Sequence, residues 1–202
     1  MLKRSMLCLP LALTVAGASS VVAQTGQPFS AQVSALFVTL SGDAYESLKN
    51  GPGFEGQLRF NPGALSIGAG FQYSTHDIDN TGFEEAASAG SVKLVGGFVE
   101  PRYVISTASA RVAPYVSARL AYLRQSLDVD GFDGHANGYQ INGGGGLLAR
   151  LTGNVNLDVG ATFGYIDFSE AKISGDVTSA DPDSGTNWVF RVGLAIGLGS
   201  KP

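Results

Sequence analysis

Through most of this 202-residue chain, apolar and polar side chains alternate with a period of two. That is the period of β-strands whose two faces meet unlike surroundings. In the stretch 54–60, Phe54, Gly56, Leu58 and Phe60 share one face, and Glu55, Gln57 and Arg59 share the other. Leu65, Ile67, Ala69, Phe71 and Tyr73 repeat the scheme against Ser66, Gly68, Gly70, Gln72 and Ser74. Farther on, Val116, Ala118, Leu120 and Tyr122 oppose Tyr115, Ser117 and Arg119; Tyr139 and Ile141 oppose Gln140 and Asn142; Val155, Leu157 and Val159 oppose Asn156 and Asp158. A final segment sets Trp188, Phe190, Val192, Leu194, Ile196 and Leu198 against Asn187, Arg191, Gly193, Ala195 and Gly197. Two segments fit less well. Around 30–40, Leu36, Val38 and Leu40 do not alternate cleanly, and around 92–104, Lys93 and Phe98 break a single register. A bulge near Gly96-Gly97 is the expected cause, after which Glu100 and Arg102 share the polar face.

The connections between these eight segments alternate in length. Roughly, residues 42–52, 76–91, 128–138 and 168–186 read as long loops, whereas 61–63, 106–110 and 152–154 read as short turns. Antiparallel strands joined in this way put every long loop at one end of a meander. The fold class that follows is all-β, an eight-stranded antiparallel up-and-down transmembrane β-barrel. A soluble barrel would turn its bulky apolar face inward to fill a small lumen. Here the polar face carries many of the small residues together with Glu55, Arg59, Arg119, Asp158 and Arg191, so the bulky face suits lipid.

Charge placement points the same way. Of 17 acidic residues, 14 fall in the four long loops: Asp43, Glu46, Asp77, Asp79, Glu84, Glu85, Asp128, Asp130, Asp133, Asp167, Glu170, Asp176, Asp181 and Asp183. The other three, Glu55, Glu100 and Asp158, sit on the inner parity. Phe37, Phe54, Tyr73, Tyr122, Tyr165 and Trp188 near the loop end and Phe60 and Tyr103 near the turn end suit two interfacial girdles.

Residues 1–23 place Lys3 and Arg4 before an apolar run that ends in Val21-Val22-Ala23, which reads as a signal peptide cut after Ala23. The barrel domain then covers 24–202. Cys8, the one cysteine, lies in the leader, so disulfides, thiol catalysis and thiolate metal sites are excluded from the mature chain. Losing Lys3 and Arg4 leaves 11 basic against 17 acidic side chains, a net charge of −6, and nucleic acid is not an expected partner. The 28 glycines are twice the usual share of about 7% and fit crowded strand packing. No later stretch approaches the ~18 apolar residues of a membrane helix.

The stretches VAPYVSARLAY (112–122), GGGGLLARLTGNVNLDVGATFGY (143–165) and the closing segment 188–198 resemble the small eight-stranded outer-membrane barrels, the porin-like group with OmpA-, OmpX- and OmpW-type members. Arg119 stands where such strands more often carry glycine. Arg191, Gly193, Ile196 and Leu198 resemble the closing-strand signal read by the barrel-assembly machinery, although the tail Gly199-Ser200-Lys201-Pro202 departs from the usual aromatic ending. No peptidoglycan-binding domain is expected beyond it. The resemblance implies export to the bacterial outer membrane. Its implied partners are outer-membrane lipid and lipopolysaccharide and the assembly machinery, with the barrel acting as a monomer.

At eight strands the lumen is just wide enough for side chains. Glu55, Arg59, Glu100, Arg102, Arg119, Asp158 and Arg191 are therefore expected to form a paired charge network that fills it. The acidic stretch 128–134 lacks the ligand spacing of a calcium loop, and Gly143 to Gly146 lack the lysine of a phosphate loop. No catalytic, cofactor-binding or metal-ligating residue is expected. His76, close to Ser74 and Asp77, is the one candidate base for a lipid-modifying enzyme. The leading function is a non-enzymatic integral outer-membrane protein with a structural or surface-interaction role. The alternative is a passive channel for small or hydrophobic solutes, and a lipid-modifying enzyme ranks third.

Overall fold

The computed structural model describes residues 27–78, 90–109, 111–129, 132–169, 172–173, 176–177 and 184–199. The leader 1–23 and the acids Asp79, Glu84, Glu85, Asp130, Glu170, Asp181 and Asp183 lie outside the described residues, as do the side chains of Asp128, Asp133 and Asp176. Eight long strands make the wall: β1 (Phe29–Ser41), β2 (Gly51–Phe60), β3 (Leu65–Asp77), β4 (Ser91–Val104), β5 (Val112–Val129), β6 (Phe132–Arg150), β7 (Val155–Phe168) and β10 (Ser184–Leu198). Two-residue pieces, β8 (Lys172–Ile173) and β9 (Asp176–Val177), extend the upper end of β6. Sequential neighbours pair antiparallel, and β1 pairs with β10 to close the sheet on itself. Closure leaves no free edge among the eight wall strands, which is what a sheet in lipid requires.

Parity sets the two faces along every wall strand. Val33, Leu58, Val116, Leu120, Ile141, Val192 and Ile196 are exposed on the outside, while Ser30, Gln32, Gln57, Ser66, Asn142 and Asn156 are buried inside. Outer aromatics form bands: Phe29 and Phe60 pack with tilted rings 5.2 Å apart at the turn end, and Phe163, Trp188 and Phe190 run together toward the loop end.

Three expectations are corrected. β4 has no bulge: its pairing with β3 runs unbroken from Ser91 to Tyr103, and its register with β5 is the same on both sides of Gly96-Gly97. Phe98 is an inward residue in register, buried beneath the Arg119 guanidinium at 4.0 Å, and Lys93 is an outward one. Second, 128–138 is not a long loop. β5 and β6 stay paired up to Val129 and Phe132, with only residues 130 and 131 between them. These are Asp-Gly, a dipeptide suited to two-residue hairpins.

Third, the interior is not polar throughout. Leu36, Val38 and Leu40 point inward and pack with Tyr45, Val92, Leu94, Phe98, Leu123, Ile166, Phe168 and Val189 into an apolar layer at the loop end. Tyr45 reaches it from the 3-10 turn Asp43–Tyr45 that follows β1. The β1 segment broke the simple alternation because both of its faces are apolar at this height, and β4 broke it because Val92, Leu94 and Phe98 point inward while Lys93 points outward.

Candidate functional site

Below the apolar layer, inward positions of β2, β4, β5, β7 and β10, from mid-strand toward the turn end, bring seven charged side chains together. Each is at most 3% exposed, and Glu55, Glu100 and Asp158 have no exposure at all. Glu100 is the hub. Arg191 donates to it as a fork, Nη1 to Oε2 at 2.7 Å and Nη2 to Oε1 at 3.0 Å. Arg119 places Nε and Nη2 on Oε2 at 2.9 and 2.7 Å. Arg102 and Arg59 reach Oε1 at 3.0 and 3.3 Å. One carboxylate thus meets four guanidiniums, in charge-assisted contacts of the strong kind.

The other two acids flank it. Glu55 lies 2.7 Å from Arg119 and 3.6 Å from Arg191. Asp158 accepts from Arg102 Nη2 at 2.9 Å and lies 3.7 Å from Arg191 Nε. All seven residues of the expected lumen network are therefore in one connected cluster.

Neutral side chains complete the network. The Tyr115 hydroxyl donates to Asp158 Oδ1 at 2.7 Å and accepts from Arg191 Nη2 at 2.9 Å, while its ring lies under Arg102 at 4.0 Å. Gln32 Nε2 donates to Asp158 Oδ2 at 2.7 Å, and Gln57 Oε1 accepts from Arg59 Nη1 at 2.7 Å. Arg119 Nη1 donates to Gln72 Oε1, and Gln72 Nε2 passes the chain to Gln140, each at 2.9 Å. Tyr115 and the glutamines share the inner parity, which was their only signal. Small residues make room for them: a Cβ at Gly160 would run into the Tyr115 hydroxyl and approach Arg191 Nε.

Toward the turn end, a void of about 20 Å³ is lined by Gln32, Arg59, Ser66 and Arg102, enough for a water molecule but not for a solute. His76 does not resemble a catalytic base. It is fully buried, its Nδ1 faces the Lys49 carbonyl at 3.1 Å and its Nε2 faces Ser74 Oγ at 3.1 Å, so a backbone oxygen holds the position where an orienting carboxylate would be. Among the described residues, no three His, Asp or Glu side chains are grouped to hold a metal. Of the assembly-signal positions, Arg191 and Gly193 point inward, whereas Ile196 and Leu198 are exposed on the lipid side.

With a closed sheet, an apolar outside and an ionic inside established, residues 8–198 match the outer membrane protein beta-barrel domain. The chain belongs to that family. Solved structures of this shape include the Neisserial surface protein A, at 20% identity and a TM-score of 0.64 over 85% of this chain and 97% of that one. OprG of Pseudomonas aeruginosa gives 12% identity and a TM-score of 0.53 over 85% and 96%. Ail, the attachment invasion locus protein of Yersinia pestis, gives 16% and 0.52 over 83% and 97%. No curated protein matches the chain in sequence. At these identities the structural likeness speaks for the fold. The barrel is thus a transmembrane one of the bacterial outer-membrane type.

Proposed function

We propose that this outer-membrane barrel is a closed, non-enzymatic structural protein that acts through its loop-bearing surface, in envelope integrity or surface interaction, rather than through its lumen. The observation that carries this reading is the Glu100 hub. Four arginines from β2, β4, β5 and β10 converge on one carboxylate in the lumen, and the apolar layer lies between that hub and the loops. An ion crossing the barrel would have to break both. Asp43, Glu46, Asp77 and Asp167 stand at or above the loop-end rim and give the exposed surface an acidic character. A closed wall needs no partner copy, which supports a monomer. The leader 1–23 would direct export, and Arg191, Gly193, Ile196 and Leu198 would present the closing strand to the assembly machinery.

Planar-bilayer recording of the purified barrel tests the closed lumen: brief low-level noise without a stable open level is expected, and a steady large conductance overturns it in favour of a passive channel. A mobility shift on boiling before gel electrophoresis provides the accompanying check that the protein recorded is the folded barrel.

A further inference from the structure

The outer wall has one place where charge and shape both depart from the rest. Lys93 on β4 and Arg124 on β5 face outward near the loop end on adjacent rows, since Lys93 stands opposite Ser126 and Val95 opposite Arg124. Among the described residues of the wall strands, these two are the cations on the lipid-facing parity, and the turn end has none. Immediately below them, toward the bilayer centre, Gly97 stands between Phe71 and Tyr122 and interrupts the bulky surface. A Cβ added at Gly97 would meet only the Gly70 carbonyl oxygen, at 3.6 Å. The gap opens a trough of about 610 Å³ walled by Ala69, Val99, Leu120, Tyr122 and Tyr139. Tyr73, Tyr122 and Tyr139 mark this height as the boundary between headgroups and hydrocarbon.

We propose that the trough and the two cations form a binding site for a multiply acylated, sugar-phosphate lipid of the outer leaflet. One acyl chain would lie along Gly97 and Leu120, and a headgroup phosphate would rest on Lys93 and Arg124. The scale fits: from Lys93 to Gly97 the strand runs roughly 13 Å, a descent of roughly 10 Å at a tilt of ~40°, enough to seat the upper part of an acyl chain running down from a headgroup. The charge fits as well, because an arginine fork and a lysine point charge are the usual phosphate partners. Asp77 and Asp128, which by register flank Ser91 one row nearer the loops, subtract from the patch, as does Asp167, which accepts from the Tyr139 hydroxyl at 3.0 Å. The site rests on the loop end facing the cell exterior, where such a lipid resides.

The test uses the folded barrel in nanodiscs, challenged with bisphosphorylated lipid A, dephosphorylated lipid A or phosphatidylglycerol, with retained lipid read by native mass spectrometry. The wild type is expected to retain the bisphosphorylated form over the other two. Lys93→Gln and Arg124→Gln should each weaken that retention about fivefold. Gly97→Phe, which fills the trough from open space, should weaken it too, and Asp77→Asn should strengthen it. Equal retention of phosphatidylglycerol, or unchanged retention in the Lys93→Gln/Arg124→Gln double variant, overturns the site. A tag placed between residues 130 and 131 and probed with antibody on intact cells tests the orientation separately: an inaccessible tag would overturn the outward-facing reading itself, whatever the lipid result.

Discussion

Along β4 the inward side chains run Val92, Leu94 and Phe98 at the loop end and then Glu100 and Arg102, so one face of one strand passes from a dry apolar layer to a layer of ions. β5 does the same in reverse, from Tyr115 and Arg119 up to Ala121 and Leu123. Both layers close the barrel, but by different physics. The apolar layer adds many weak contacts, each replaceable. The ionic layer concentrates its partners on a single carboxylate, and its removal would leave four buried cations to share Glu55 and Asp158, with no carboxylate beside Arg59. The layers also support one another, because apolar packing on the loop side keeps water away from the ion pairs and so strengthens them.

That contrast can be broken or sharpened by substitution. Glu100→Ala should be the most damaging, costing about 4 kcal/mol by leaving uncompensated buried charge, read as a lower urea midpoint in a gel-mobility unfolding series in micelles. Leu123→Ala in the apolar layer should cost about 3 kcal/mol in the same series; if it equals or exceeds Glu100→Ala, the two layers do not differ as described. Gly160→Ala pushes a methyl group against the Tyr115 hydroxyl and should cost about 2 kcal/mol, and Tyr115→Phe in the same background should recover part of that loss. Ile166→Val, one methyl group in the apolar layer, should cost about 1 kcal/mol or less and leave bilayer recordings unchanged.

Parity made the wall legible from the residues: the inward positions of Glu55, Arg59, Arg119, Asp158 and Arg191 follow from counting by twos. What parity does not carry is height. Leu36, Val38 and Leu40 share their face with Ser30, Gln32 and Ser34, and nothing local distinguishes an apolar interior from a lipid-facing exterior at the same strand position. The same ambiguity made Phe98 resemble a register break when it is a ring packed under a guanidinium. The hub role of Glu100 was equally hidden, since Arg59, Arg102, Arg119 and Arg191 meet there only after four strands curl around one axis. Asp130-Gly131 was the opposite case, a local signal of a tight hairpin that the surrounding acids disguised as a loop.

That hairpin has a mechanical consequence. β5 has 18 residues and β6 has 19, against 10 in β2. At ~3.3 Å per residue and a tilt of ~40°, β5 rises roughly 45 Å, well above an apolar band ~25 Å tall. The paired ribbon, stiffened at one edge by β8, is a spar rather than a tether, and it fixes the distance from the bilayer at which its tip meets other molecules.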